Sequence, residues 1–343
     1  MKIKAIDIAR ELGLSKATVS LALNNKPGVS EQTKQDVFEC MERMQNGTKK
    51  TEESKTTGCG KLIKIVVVSK NLKIVRNSEL DLWTDVNAVF DQMAKKEGYT
   101  LGISYPDLYK DSIEAEVMEC NVDVVAGVVL FGTELEPEDI RYFKGIKKPM
   151  VIYDSDMQCN KYPYVVVNNR SGVRAAVDYL VKNGHKDIVY LANSIDIYNY
   201  LERRIGFAEA LQSHNLKFEE HSIAAVGDRI ETVFQNMKKY LDIHRLPSAF
   251  VMESYHISVG AIRAFRERGI AIPDDISLIG IDELPSYMTG ECQMTTIRIP
   301  HTERAVWVMM MLFKEIVDPS EIKSRVLTNC KLIEGNSVSL SLK

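Results

Sequence analysis

Residues 6–34 read IDIARELGLSKATVSLALNNKPGVSEQTK, and three short helices can be read from this one string. Ile8, Ala9 and Leu12 fall on one helical face. Gly13 is placed to end that helix, because glycine takes the left-handed conformation that closes a helix C-terminus at no steric cost. Ser15 predicts the cap of a second helix, Lys16–Leu23, with Val19 and Leu23 inward, since a serine oxygen accepts from the free N–H groups of a first turn. Asn24–Gly28 is turn chemistry. Ser30 predicts a third helix, with Thr33, Val37, Cys40, Met41 and Met44 at helical spacing. Two short helices joined by a glycine-containing turn make a helix-turn-helix, whose second helix can enter a major groove with its first residues nearest the bases. Those residues are Ser15, Lys16, Ala17 and Thr18. Lys16 can donate to guanine or phosphate, and Ala17 offers a methyl surface to thymine. Thr18, Ser20 and Asn24 carry short polar groups suited to phosphate oxygens. The same pattern also fits a three-helix bundle that binds protein.

Beyond the third helix the apolar rhythm stops. Residues 45–60 read QNGTKKTEESKTTGCG, without a large apolar side chain, the composition of a linker. From Lys61 strand and helix patterns alternate. Strand-like runs are Leu62–Val68, Thr100–Ser104, Val124–Leu130 and Met150–Tyr153, with helices at Glu79–Glu97, Ser112–Cys120 and Pro137–Ile146 between them. The rhythm repeats with strands at Tyr164–Val167, Ile188–Leu191, His221–Val226, Ala249–Met252 and Ser277–Ile281. Their helices are Ser171–Asn183, Leu201–His214, Ile230–Leu241 and Ser258–Arg268, followed by a helix His301–Ile316 and a last strand near Ser324–Leu332. Such alternation predicts an α/β fold with helix-covered parallel sheets, and two successive sets predict two similar subdomains.

Composition narrows the function class. The chain has 343 residues, 45% hydrophobic and 27% charged, with net charge −3. That excludes a mainly disordered or fibrous chain. Residues 1–50 carry nine Lys/Arg against six Asp/Glu, a local +3 that leaves −6 for the remainder. The asymmetry points to a polyanion at the N-terminal segment. Neither a signal peptide nor a membrane-spanning stretch is expected, because the longest apolar runs fall well short of ~20 residues. The six cysteines show no CxxC pair or metal spacing, which fits reduced thiols in a cytoplasmic protein with no zinc site. No GxSxG or HExxH occurs. Gly58–Lys61 lacks the spacing of a phosphate loop, and nothing else in the sequence supports Asp154 and Asp156 as a general acid/base pair. No catalytic residue, metal or cofactor is expected.

The motifs as a set resemble the lactose-repressor (LacI/GalR) family of bacterial transcription regulators. The headpiece supplies Asp7-Ile8-Ala9, Gly13-Leu14-Ser15, Thr18-Val19-Ser20, Leu23-Asn24, Val29-Ser30 and Thr33-Lys34. Farther on come Gly184-His185 before Ile188, Arg203 before Gly206-Phe207, and Asp275-Ile276-Ser277 with Gly280 and Asp282. Thr295-Thr296 before Pro300 completes the series. The resemblance implies a helix-turn-helix domain at 1–46, a linker at 47–60, and a periplasmic-binding-protein-like core of two doubly wound parallel-sheet subdomains at 61–343. The N-subdomain would take about 61–162 and 298–324, the C-subdomain about 163–297 and 325–343. It further implies a homodimer on a near-palindromic double-stranded operator, with a small effector such as a sugar or sugar phosphate in the inter-subdomain cleft. A repressor with a vestigial, non-responsive cleft is the alternative.

The sequence departs from the family at several places. Where relatives carry a Tyr-x-Pro-Asn-x-x-Ala-x-x-Leu hinge, this chain has Asn46, Thr48, Lys49, Glu52 and Lys55, so no leucine wedge for the minor groove exists. Leu21 stands where many members have an arginine. Leu21 cannot donate to guanine, so another base is expected at that step. Asp154, Arg203 and Asp282 match the family's ligand-contacting positions. Two carboxylates can accept from hydroxyls, and a guanidinium can fork donors onto paired oxygens; the alternative is that Arg203 and Asp282 hold each other in a structural ion pair. Ser254-Tyr255 replaces an Asn-Asp, and Arg229 replaces an aromatic, so an anionic ligand would suit Arg203 plus Arg229. Leu80, Leu82, Trp83, Val86 and Val89 near one helix are the expected dimer face.

Overall fold

The computed structural model describes residues 5–23, 28–30, 33–37, 60–70, 82–290 and 292–341. The chain divides into two compact units, Met1–Thr57 and Gly58–Lys343. In the first unit α1 spans Ala5–Leu12 and α2 spans Lys16–Leu23. A third helix, α3, is described over 33–37. Gly13, at φ 66°, closes α1, and the Leu14 N–H donates to Ala9 O at 2.9 Å, the long-range bond of a glycine-terminated helix end. Ser15 Oγ accepts from Thr18 N at 3.1 Å, and Ser30 Oγ accepts from Thr33 N at 3.1 Å. Both expected serine caps are therefore made. Ile8, Ala9, Val19, Ala22 and Val37 form the core of this unit.

In the second unit the inner strands are short and almost continuously apolar because both their faces are covered, while the outer strands are partly exposed. The first sheet takes β1 (Lys61–Val67), β2 (Tyr99–Ser104), β3 (Val125–Phe131), β4 (Met150–Tyr153), β5 (Tyr164–Val167) and, from near the C-terminus, β11 (Arg325–Thr328). The second takes β6 (Ile188–Ala192), β7 (Ile223–Ala225), β8 (Ala249–Met252), β9 (Ser277–Ile281), β10 (Thr295–Arg298) and β12 (Lys331–Ile333). Among the described residues the orders are β2-β1-β3-β4-β5-β11 and β7-β6-β8-β9-β10-β12. The two sheets thus repeat one topology, parallel throughout except that β12 runs antiparallel to β10. Helices α4 (Leu82–Lys96), α5 (Ile113–Cys120) and α11 (His301–Val317) cover the first sheet. Helices α6 (Asn169–Lys182), α7 (Tyr198–Ser213), α8 (Ile230–Ile243), α9 (Tyr255–Glu267) and the short α10 (Ser286–Thr289) accompany the second.

Several expected boundaries move. Residues 164–167 and 325–328, expected in the C-subdomain, pair with each other in the first sheet, Tyr164 opposite Arg325 and Val167 opposite Thr328. The chain therefore crosses between subdomains after Val167 and after Thr328, each time a strand later than the sequence suggested. The single final strand becomes two strands in different sheets, broken at Asn329 and Cys330. Strand β10 was not expected. Its Thr295 and Thr296 read as polar, yet both are buried, and Thr296 Oγ1 donates to Asp282 O at 2.6 Å. The segment from Pro137 is a 3-10 helix, Pro137–Phe143. The linker, Asn24 and Leu80 lie outside the described residues, as do the side chains of Leu82 and Trp83. Val86 is buried in the first sheet's core, with Val89 partly buried against it.

Candidate functional site

On α2, Ser15, Lys16, Ala17 and Ser20 are exposed, while Val19 and Ala22 are buried. Amphipathic spacing thus leaves four of the expected DNA-contacting residues on one accessible side. Thr18 and Leu21 are half-buried. The Ser15 and Thr18 hydroxyls lie 2.8 Å apart, so they bond to each other while capping the helix. Leu21 lies against the Gly28 turn, where its Cδ1 would sit 3.9 Å from a Cβ on that glycine; it belongs to the headpiece's packing as well as to its surface.

The cleft of the core is built by two equivalent loops. Asp154 follows β4 and Asp282 follows β9, the matching strands of the two sheets. Both carboxylate residues sit at positive φ, 73° and 71°, a conformation that Asp tolerates better than most residues. The Asp154 N–H donates to Val165 O at 2.9 Å, and the Asp282 N–H donates to Ile297 O at 3.0 Å. Each aspartate is thereby clamped to the strand beside its own. The strand ends open into a cleft of about 860 Å³, counted to its open mouth, whose walls include Asp154, Arg203, Ser254, Tyr255, Asp282, His301 and Arg304. Such carboxyl-end crevices are where parallel sheets present ligand groups.

Arg203 is brought to the cleft by a glycine. A Cβ at Gly206 would lie 2.6 Å from Arg170 Cα, so only glycine lets α7 cross α6 this closely. One turn earlier, the buried Arg203 Nε donates to Asn169 Oδ1 at 2.9 Å, and its Nη1 donates to Glu253 O at 2.7 Å. Asn169 Nδ2 in turn donates to Asn199 Oδ1 at 2.7 Å, and Asn199 Nδ2 donates to Asp154 O at 3.1 Å. This chain of bonds runs from the C-subdomain to the N-subdomain. A second crossing joins His301 Nε2, on α11 of the N-subdomain, to Asp282 Oδ1 at 3.0 Å. Burial works to raise the Asp282 pKa, but the His301 hydrogen bond and the charges of His301, Arg203 and Arg304 leave it below the ordinary value. The alternative Arg203–Asp282 ion pair is not formed among the described residues; the two act on each other through space.

Behind the cleft, the fully buried Glu253 accepts from Arg204 Nε at 2.8 Å and from Asn193 N at 2.6 Å. Burial pushes the Glu253 carboxyl up against the opposing pull of Arg204. Ser254 and Tyr255, both buried, occupy the cleft wall at the start of α9. Arg229 does not join them. It precedes α8 with an extended backbone and an exposed side chain, 4.0 Å from Asp228 Oδ2, so the cation expected from it is missing from the lining. Arg304 supplies one instead. It was not foreseen, because one arginine in an amphipathic helix reads as solvated. In fact it is 2% exposed, lies over the Tyr153 ring with 4.5 Å to the centroid, and pairs with Asp154. Among the described residues no cluster of His, Cys, Asp and Glu could hold a metal ion.

Comparison with known proteins agrees with this architecture. Residues 4–45 match the pattern of bacterial regulatory proteins of the lacI family, and residues 177–338 match a periplasmic binding protein-like domain. The HTH-type transcriptional repressor PurR of Actinobacillus pleuropneumoniae serotype 3 (strain JL03) is 24% identical over 322 residues, 94% of each chain. The probable HTH-type transcriptional repressor ExuR of Bacillus subtilis (strain 168) is 25% identical over 336 residues, 97% of each chain. The transcriptional regulator CelR in complex with cellobiose superimposes with a TM-score of 0.70 at 19% identity, over 98% of this chain and 100% of CelR. The lac repressor dimer bound to operator and the anti-inducer ONPF gives 0.67 at 19% identity, over 99% and 100%. With a headpiece and a two-sheet core of this type in a single polypeptide, the chain belongs to the lacI family of bacterial regulatory proteins.

Proposed function

We propose that this chain is a sequence-specific DNA-binding transcription repressor whose operator affinity is set by a small ligand in the cleft between its core subdomains. The observation that carries the reading is the pair of cross-cleft contacts, Asp154 to Asn199 and Asp282 to His301. A ligand that binds the two aspartates meets groups already coupled across the subdomains. It can therefore favour one arrangement of the two halves over another, which is what coupling to a distant DNA site requires. The cleft is open, and Asp154, Arg203, Asp282, His301 and Arg304 stand in it beside apolar side chains, which supports a ligand-responsive reading over a vestigial one.

In this reading α2 reads the major groove, with Lys16 on phosphate or guanine and Ser15, Ala17, Thr18, Ser20, Leu21 and Asn24 as its neighbours on the DNA. Asp154, Arg203 and Asp282 hold the effector, with Ser254 and Tyr255 as wall. The active species is a homodimer, because one headpiece offers few base contacts. No described helix is long and apolar enough to cross a membrane. The test starts from DNA selected in vitro by the full-length protein. Retention of that DNA in gel shift at fixed salt, and its release or tightening on adding a compound that raises the core's melting temperature, is the expected result. Binding with no sequence preference, or operator affinity indifferent to every stabilising compound, would overturn the proposal.

A further inference from the structure

We infer that the cleft takes an anionic ligand, a hydroxylated small molecule bearing a carboxylate or phosphate, with Arg304 as the group that selects the charge. This rests on the ligand-responsive reading above and narrows it. The argument is a count of donors against acceptors. Asp154 is largely used: Oδ1 takes Arg304, Oδ2 takes the Thr133 hydroxyl at 2.8 Å, and its backbone O takes Asn199. Asp282 has one oxygen on His301. The donors, in contrast, are under-used. Among the described residues the Arg304 guanidinium bonds through Nη2 to Asp154, and its Nε is buried without a partner. Arg203 spends Nε and Nη1 on Asn169 and Glu253 O. The Tyr153 hydroxyl, beneath Arg304, is buried and unpartnered, with its pKa pushed up to about 12 by burial.

Unpaired buried donors of this strength are costly unless something accepts from them. A group with several acceptors and a negative charge, a carboxylate or a phosphate, suits the two guanidinium groups of Arg203 and Arg304 in the cleft wall better than a hydroxyl does. The remaining Asp282 oxygen can still accept from a ligand hydroxyl, which accounts for a hydroxylated molecule bearing the anion. Arg203 and Arg304 formally balance Asp154 and Asp282, and His256 and His301 stand in the same lining.

The experiment uses the full-length protein and matched probes sharing one ring: glucose, glucuronate and glucose 6-phosphate, with the galactose series beside them. Thermal shift and titration calorimetry measure binding, and gel shift on the selected operator measures response. At least one anionic member is expected to bind at least about tenfold more tightly than its neutral parent. Glucuronate or galacturonate as the tighter member identifies a carboxylate, a 6-phosphate a phosphate. Arg304→Met should abolish that preference. Because it strands Asp154, the double variant Arg304→Met with Asp154→Asn removes both charges together and must fold, by circular dichroism, with the preference still lost. Neutral sugars binding as well as their anionic partners would overturn the anionic assignment and leave the ligand-responsive reading standing. No probe binding, with operator affinity unchanged by all, would overturn both. Anion preference undiminished in both variants would remove Arg304 from the assignment.

Discussion

Asp154 and Asp282 occupy the same place in two sheets, and each is bonded to the opposite subdomain: Asp154 O accepts from Asn199 at 3.1 Å, and Asp282 Oδ1 from His301 at 3.0 Å. The repeated topology explains the match in position, since each residue ends the fourth strand of its set. The symmetry fails in the details. Asp154 gives a backbone carbonyl across the cleft and keeps its carboxylate for Arg304, whereas Asp282 gives its carboxylate. A hydroxyl that donates to these carboxylates has to compete with His301 at one end and with Thr133 at the other.

Asn199→Ala should weaken the link between the subdomains. It leaves Asn169 Nδ2 and Asp154 O without partners in a buried site, a loss of about 1–3 kcal/mol in urea denaturation. Operator release should require a changed effector concentration while operator affinity without effector stays within a few fold. An unaltered effector response would show that this chain of bonds carries no coupling.

Lys16→Ala should reduce operator affinity by about 1–3 kcal/mol if the lysine reaches a base, and should lower the salt slope by about one if it reaches a phosphate. Fluorescence anisotropy across a salt series separates the two. The side chain is exposed, so melting temperature should not change. Unchanged affinity at every salt would take Lys16 out of the interface.

Arg204→Met should be strongly destabilising, by about 3–5 kcal/mol, because Glu253 would be left as an unpaired buried carboxylate. Adding Glu253→Leu removes that charge and should recover much of the loss. The pair of denaturation curves checks this; a double variant no more stable than the single would contradict it.

Gly206→Ala should both destabilise the core and disturb the site. The added methyl meets Arg170 backbone atoms at 2.6 and 2.9 Å, so α7 must move away from α6 at a cost of about 1–3 kcal/mol. Arg203, one turn away, moves with it. Ligand affinity should fall together with melting temperature.

Stability should decline as pH drops below about 6.5, the ordinary histidine value. Burial lowers the His185 pKa, and its Nε2 lies 3.0 Å from Ser339 O, an acceptor only, so the folded ring is neutral with the proton on Nε2. Between the lowered folded value and the unfolded one, the unfolded chain binds the extra proton, so stability rises with pH through that window and falls as it is acidified. His185→Gln should flatten this slope in melting curves from pH 7 to 5. An equally steep slope would assign it to other groups.

The sequence by itself determined the headpiece and the alternation of the core. Serine caps, Gly13 and apolar spacing act within one or two turns, so α1, α2 and the start of α3 are written in neighbouring residues, and apolar strand runs mark burial on both faces. It also marked Asp154, Arg203 and Asp282, which stand beside recognisable strand ends and motifs. Only the tertiary structure decided which sheet each crossing strand joins, since Arg325–Thr328 pairs with Tyr164–Val167 across the whole length of the C-subdomain. It also decided the partners within the cleft. Arg304 enters and Arg229 leaves because burial of a charge depends on groups distant in the chain: Tyr153 and Asp154 receive one arginine, while the other has only Asp228 and solvent. Periodicity locates a residue on a face; what that face meets is settled by packing.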